Sequence, residues 1–342
     1  MRKAIAFVLL GMVCCGSVIF ADDAKTMPAR VGRFYVAPTF AFANGEYNDD
    51  WEYEKYDDGD GALKVFNLGF AVEYGVLDWI TAAVQWVPGW TIWSEVDTTI
   101  GASDDVDANG LYDLFVGAKI QIVGEKAPVK STMFRAAIAP GVKIPLPGND
   151  FEDEFKSAIT NDSLTGANAD KHAFGVGSRA YFDVLINKMF YINLYGEFLY
   201  FPIKKSFKDH SIVYQGLVAQ NPALKPLLDD VDVSYGWDLT LELEPNFETT
   251  LTDGLTFSAG LPITFVMTPG LSFDHKLPAA VASYLGSEDP TYLLKLSPNV
   301  SFFLTNTLLP LEFKMTYAIP LIGQNSRALH SLTLQARIYF RI

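Results

Sequence analysis

Charged residues recur at alternate positions through much of this chain. Nine cations (Arg33, Lys119, Arg135, Lys143, Arg179, Lys295, Lys314, Arg337 and Arg341) and eight carboxylates (Glu73, Asp113, Asp183, Glu197, Asp238, Glu242, Glu244 and Glu312) fall on the polar parity of their segments. On one face of a strand, so balanced a set either pairs internally or lines water, because an unpaired charge in a dry interior is costly. Such chemistry holds or passes solutes; it makes no bonds. Catalysis finds little footing elsewhere. His172, His210, His275 and His330 are scattered, and no Ser-His-Asp order, phosphate-cradling loop or His-rich metal signature is present. The reading is of a protein that is not an enzyme. One short motif has the oxygens for a metal. Asp105, Asp107 and Asn109 keep the 1-3-5 spacing of a calcium loop, with Gly110 at the turn position and Asp113 at position 9. Val116 stands where such a loop needs a bidentate glutamate, so calcium is a candidate with an incomplete shell, and no other cofactor is implied.

Strands must align these charges. At the C-terminus Leu332, Leu334, Ala336, Ile338, Phe340 and Ile342 interleave with Ser331, Thr333, Gln335, Arg337, Tyr339 and Arg341. A period of two places one set on each face, which defines a strand with two differently solvated sides. Residues 231–245 repeat the pattern. The longest uncharged stretch beyond the N-terminus, 254–273, also alternates and is therefore no membrane helix. Nine more segments follow suit with lower fidelity: 33–43, 64–75, 79–93, 111–123, 131–144, 173–185, 189–203, 292–304 and 308–322. Their length, about 10–15 residues, exceeds the ordinary strand of about 5–6 and suits a tilted crossing of a bilayer. Connections after even-numbered segments are short. Those after odd ones are long, near 44–62, 94–110, 145–172, 204–230 and 268–290, until the last. Sorting by parity is the mark of an all-β fold, a transmembrane antiparallel up-and-down β-barrel. About 12 strands are expected, with 10 or 14 as alternatives.

The chain has 342 residues, 26 Lys and Arg against 40 Asp and Glu, and a formal charge of −14. That balance excludes nucleic acid as a partner, since a phosphate-binding surface needs a basic footprint. The acids concentrate in loops: 44–62 alone carries eight carboxylates against one lysine. Arg2 and Lys3 precede an apolar run from Ala4 to Phe20 and then Ala21, so 1–21 is read as a cleavable export signal. Residues 22–32 form a short periplasmic lead-in and 33–342 the barrel. Both cysteines, Cys14 and Cys15, fall inside the signal.

Aromatic residues gather near strand ends, as in the girdles of membrane barrels, and prolines are frequent inside strands. In the third strand Val87-Pro88-Gly89-Trp90 joins a residue without an N–H to one without a side chain, so the strand should bulge or part there. Unpaired backbone is not tolerated against lipid. Trp86, Pro88, Gly89 and Trp90 are thus a candidate lateral opening, unless the strand simply ends at Pro88.

The mature chain resembles bacterial outer-membrane β-barrel proteins, its last strand looking like their assembly signal. The runs "DLFVGAKIQ" from Asp113 and "GVKIPLPG" to Gly148, with the Pro-Gly of strand three, are similar to a hairpin of the FadL-type and aromatic-hydrocarbon channel families. That resemblance implies residence in the outer membrane, contact with its lipid and with the barrel-assembly machinery, and passive uptake of a small hydrophobic or amphipathic ligand. The alternatives are a non-transporting surface barrel or a general porin. The family's fourteen strands and Asn-Pro-Ala plug are not matched, for Asn221-Pro222-Ala223 sits in a loop, so no plug is expected.

Overall fold

The computed structural model describes residues 23–56, 62–100, 103–146, 151–161, 163–165, 171–209, 212–274 and 289–342. The export signal lies outside the described residues, as do His210 and His275. Twelve strands close into one antiparallel barrel. They are β1 (Val31–Ala43), β2 (Leu63–Leu77), β3 (Ile80–Ile100), β4 (Ser103–Leu111 and Leu114–Val123), β5 (Phe134–Ile144) and β6 (Gly175–Leu185). Then come β7 (Phe190–Tyr200), β8 (Trp237–Thr252), β9 (Leu255–Gly260 and Ile263–Thr268), β10 (Thr291–Leu296 and Asn299–Leu304), β11 (Leu311–Gln324) and β12 (His330–Arg341). Each pairs with its sequence neighbours, and β1 closes on β12 with Arg33 opposite Tyr339 and Thr39 opposite Thr333. No strand edge is left for lipid to meet.

Alternation decides which face is which. On β1 Ala37 and Thr39 are 0% and 1% exposed, whereas Phe34 and Phe40 are 37% and 40% exposed. On this strand odd residues fill the lumen and even ones form the outer surface; on β8 the parity is reversed, with Glu242 buried and Leu241 exposed. On β2, β7 and β12 the outer set includes Phe70, Val72, Leu194, Phe198, Leu332 and Leu334, an apolar band of the kind a bilayer requires.

Even-numbered strands end in short turns, 78–79, 124–133, 186–189, 253–254 and 305–310, on the side of both barrel ends. On the opposite side, loops carry helices α1 (Phe151–Asn161) and α2 (Ile212–Gln220). Phe207, Tyr214, Leu217, Leu228, Val231 and Val233 pack there into a core outside the barrel. Burial raises the Tyr214 hydroxyl to about 12, and its hydrogen bond to Asp229 adds to the shift.

Three segments differ from the pattern read in sequence. Residues 94–110, expected as a loop, extend the β3–β4 hairpin, with Ser94 opposite Ala108 and Val96 opposite Val106. The strand expected from Val231 begins at Trp237, because Gly236 turns at φ +67 and 232–234 pair instead in a small loop sheet. β9 and β10 are each divided, at Leu261-Pro262 and Ser297-Pro298.

Candidate functional site

The lumen is crossed by a belt of paired polar side chains. Arg33 on β1 meets Glu73 on β2 at 2.6 Å, and Gln85 on β3 donates to Glu73 at 3.1 Å. Arg179 on β6 then donates to Gln85 and to Glu197 of β7, and Tyr195 also donates to Glu197 at 2.8 Å. The reach from β3 to β6 crosses β4 and β5, where Gly117 and Gly141 leave room for the Phe115 ring: a side chain at Gly141 would stand 2.3 Å from it. Phe115 supports the Arg179 guanidinium, with its ring 3.9 Å below. Across the lumen Arg337 bonds Glu312 at 3.0 Å, to which Tyr339 also donates. Arg33, Glu73, Glu197 and Arg337 are all buried. Each charge in the belt has its counter-charge in contact, which makes such burial tolerable.

Below the belt, residues 23–30 form a strap at the end of the barrel that carries the short turns. The Ala24 N–H donates to Asp183, which also meets Arg135 at 2.6 Å and Asn193 at 2.8 Å. Lys119 and Gln121 donate to the carbonyls of Asp23 and Ala24, and Met27 donates to Thr81. Lys25 reaches Glu248 at 3.6 Å. Ala24 is fully buried against Ala137, Ala139, Tyr181 and Tyr195. No plug is expected from the sequence, yet the lead-in lies over the lumen-facing side chains of β3 to β6 at one end of the barrel.

Above the belt the wall turns apolar. Phe115, Ala173, Leu199, Phe201 and Tyr235 pack together, with Lys143 and Lys171 over the Phe201 ring at 5.8 and 4.5 Å. Lys171 pairs with Asp238, and Asp113 accepts from the Ala173 N–H at 3.3 Å.

The break in β3 begins two residues past Gln85. Toward β2, Phe70 faces Trp86 and Leu68 faces Trp90, so Val87, Pro88 and Gly89 bulge opposite Gly69 alone. Toward β4 the ladder runs to Gln85–Phe115 and resumes at Trp90–Leu111. Tyr112 closes the interval: its N–H donates to Gly89 at 2.9 Å, and the Trp86 indole donates to its carbonyl at 2.7 Å. Gly89 needs φ +92, and a side chain there would stand 2.2 Å from the Leu68 oxygen. Trp86 packs edge-on against Phe70, while Trp90 is 45% exposed on the outer face.

The remaining sequence candidates fall elsewhere. Glu242 accepts from Thr264 at 2.7 Å and Glu244 from Asn299 at 3.0 Å. Lys295 and Lys314 face the lumen without an ion pair within 4 Å among the described residues. Asp105, Asp107 and Asn109 lie on the extended outer piece of β4, Asp107 opposite Glu95, and not in a coiled calcium loop. Among the described residues no group of three or more His, Cys, Asp or Glu is placed to hold a metal. Sequence reasoning missed Gln85 and Tyr112, which are uncharged, and the strap, which has no period.

No family model and no curated protein matches the chain. Among solved structures, an outer-membrane channel from Pseudomonas putida F1 superposes with a TM-score of 0.63 at 12% identity, covering 94% of this chain and 100% of that one. The transport unit of the autotransporter AIDA-I from Escherichia coli gives 0.48 at 6% identity, covering 100% and 99%. A Pseudomonas aeruginosa FadL homologue gives 0.35 at 11% identity, covering 99% and 98%. The fold is that of an outer-membrane β-barrel. Closed pairing and the apolar band place this barrel in the outer membrane, with its lipid as the first partner.

Proposed function

We propose that the protein is a channel for passive uptake of small hydrophobic or amphipathic molecules, which leave sideways into the membrane at residues 86–90. One observation carries the reading: Gln85 ties β3 into the belt that crosses the lumen, and the ladder toward β4 breaks immediately beyond it. A solute descending past Phe115, Leu199 and Phe201 meets paired charges ahead and a break bordered by Trp86 and Trp90 beside it. Stripping water from the belt's charged groups to admit a hydrophobic solute is unfavourable, while transfer of that solute into the lipid beyond Trp90 is favourable. No reaction is assigned to the chain. Barrel-assembly machinery would receive its C-terminal strand.

The test is uptake of a hydrophobic fluorescent probe by proteoliposomes holding the purified protein. Pro88→Val with Gly89→Val should cut uptake strongly; unchanged uptake in a folded double variant overturns the side exit. Because Gly89→Val meets backbone, Pro88→Val alone serves if the barrel loses its heat-modifiable gel mobility. The buried belt and strap favour a second reading, a non-transporting surface barrel, and wild-type protein that neither binds nor passes the probe would decide for it.

A further inference from the structure

We propose that the wall built by β8–β12 carries a narrow hydrated path for small inorganic ions, separate from the hydrophobic route. The two sides of the lumen differ in chemistry. From β1 to β7 each belt or strap charge touches its partner, as in Arg33–Glu73, Arg179–Glu197 and Arg135–Asp183. On β8 to β12 Arg337 pairs with Glu312 and Asp238 with Lys171, but Glu242, Glu244, Lys295 and Lys314, set among hydroxyls and amides, make no ion pair within 4 Å among the described residues. Gln335 Nε2 and Thr316 Oγ1 are buried with no hydrogen-bond partner. Polar groups so placed are normally satisfied by water when protein offers nothing.

The backbone agrees. Prolines form a seam across this wall: Leu261 N–H donates to Pro245 at 3.1 Å, Ser297 to Pro262 at 2.9 Å and Tyr317 to Pro298 at 3.1 Å. Each proline withholds a ladder donor, and the Glu244 carbonyl is served instead by the Asn246 side chain at 3.0 Å. Carbonyls short of ladder donors are tolerated at membrane depth where the lumen side is wet. The strap reaches this wall at its two margins, through Lys25 to Glu248 and through the Arg30 carbonyl, which accepts from the Ile342 N–H at 3.1 Å.

Two carboxylates, Glu242 and Glu244, face two ammonium groups, Lys295 and Lys314, so the path should discriminate weakly between ions. The purified full-length mature protein is placed in planar bilayers under a KCl gradient. Small conductance steps with a reversal potential near zero are expected. Glu242→Gln with Glu244→Gln should move the permeability ratio toward chloride by about twofold or more, and Lys295→Gln with Lys314→Gln equally toward potassium. Lys295→Arg with Lys314→Arg should restore the wild-type value, and Pro88→Val should leave conductance unchanged, which separates this path from the side exit. No conductance, or a reversal potential that neither double substitution moves, overturns the proposal. If a double variant fails to fold, Glu242→Gln and Lys314→Gln singly carry the same test with smaller shifts.

Discussion

Gly89 shows how closely a single position can be constrained. Its positive φ and the 2.2 Å approach that a side chain would make to the Leu68 oxygen act together, and either alone would disfavour substitution. Gly89→Ala should therefore destabilise the barrel by about 1–3 kcal/mol, read as a lower urea midpoint in detergent micelles. Asp183 is constrained in another way. Its fully buried carboxylate takes bonds from Ala24, Asn193 and Arg135, so Asp183→Ala leaves the Arg135 guanidinium with Asp23 alone, at 3.6 Å. A loss of about 3–5 kcal/mol is expected in the same assay, larger than for Asp183→Asn. The polar parity of Arg33, Glu73, Arg179 and Glu197 was legible in sequence, because alternation alone sends them inward. Their partnership was not. The contact of Gln85 with Arg179 spans two intervening strands and rests on the Phe115 ring, which Gly117 and Gly141 make room for, a fact of packing that no local pattern carries.

Among the elements, strands were legible and the strap was not. β12 and β1 announce themselves by period two, but 23–30 is held by side chains from β3 to β8 that lie far away in sequence. The outer hairpin of β3 and β4 was hidden for a different reason: Glu95, Asp97, Asp105 and Asp107 give it the composition of a loop, although paired strands beyond the membrane can be polar on both faces. Ala24 fits between Ala137, Ala139, Tyr181 and Tyr195 with nothing to spare. Ala24→Leu should lift the strap, at about 1–3 kcal/mol of overpacking. Trypsin should then cut after Lys25 or Arg30 faster than in wild type, with the barrel core intact. The outer cap has its own signature. Tyr214 is neutral in the fold up to about 12, whereas the unfolded phenol ionises near 10, mainly because burial penalises the phenolate. Unfolding of the cap is then favoured as pH rises through the interval from about 10 to about 12, and stability is fully present below it. Protease sensitivity of 201–236 should climb over that range and lose most of its pH dependence in Tyr214→Phe.

For the whole molecule, the sorting of connection lengths predicts one orientation. Turns 78–79, 186–189 and 253–254 lie on the side of both barrel ends, and a chain inserted with its ends inside leaves those turns in the periplasm. The opposite rim carries the acidic connections, the helices and the packed cap, the long connections that such barrels hold on the outer side. Asp50 is exposed at the tip of the first long loop, and Glu125 is exposed in the turn after β4. Because Cys14 and Cys15 are the only cysteines in the sequence, single introduced thiols report position without interference from the barrel. On intact cells a membrane-impermeant maleimide should label Asp50→Cys at once and Glu125→Cys only after the outer membrane is permeabilised. The reverse order would invert the barrel. It would also place the strap outside and the aromatic wall of Phe115 and Phe201 at the inner mouth, so a solute arriving from outside would meet the polar strap before the break in β3, and uptake by the side exit would fail with the topology.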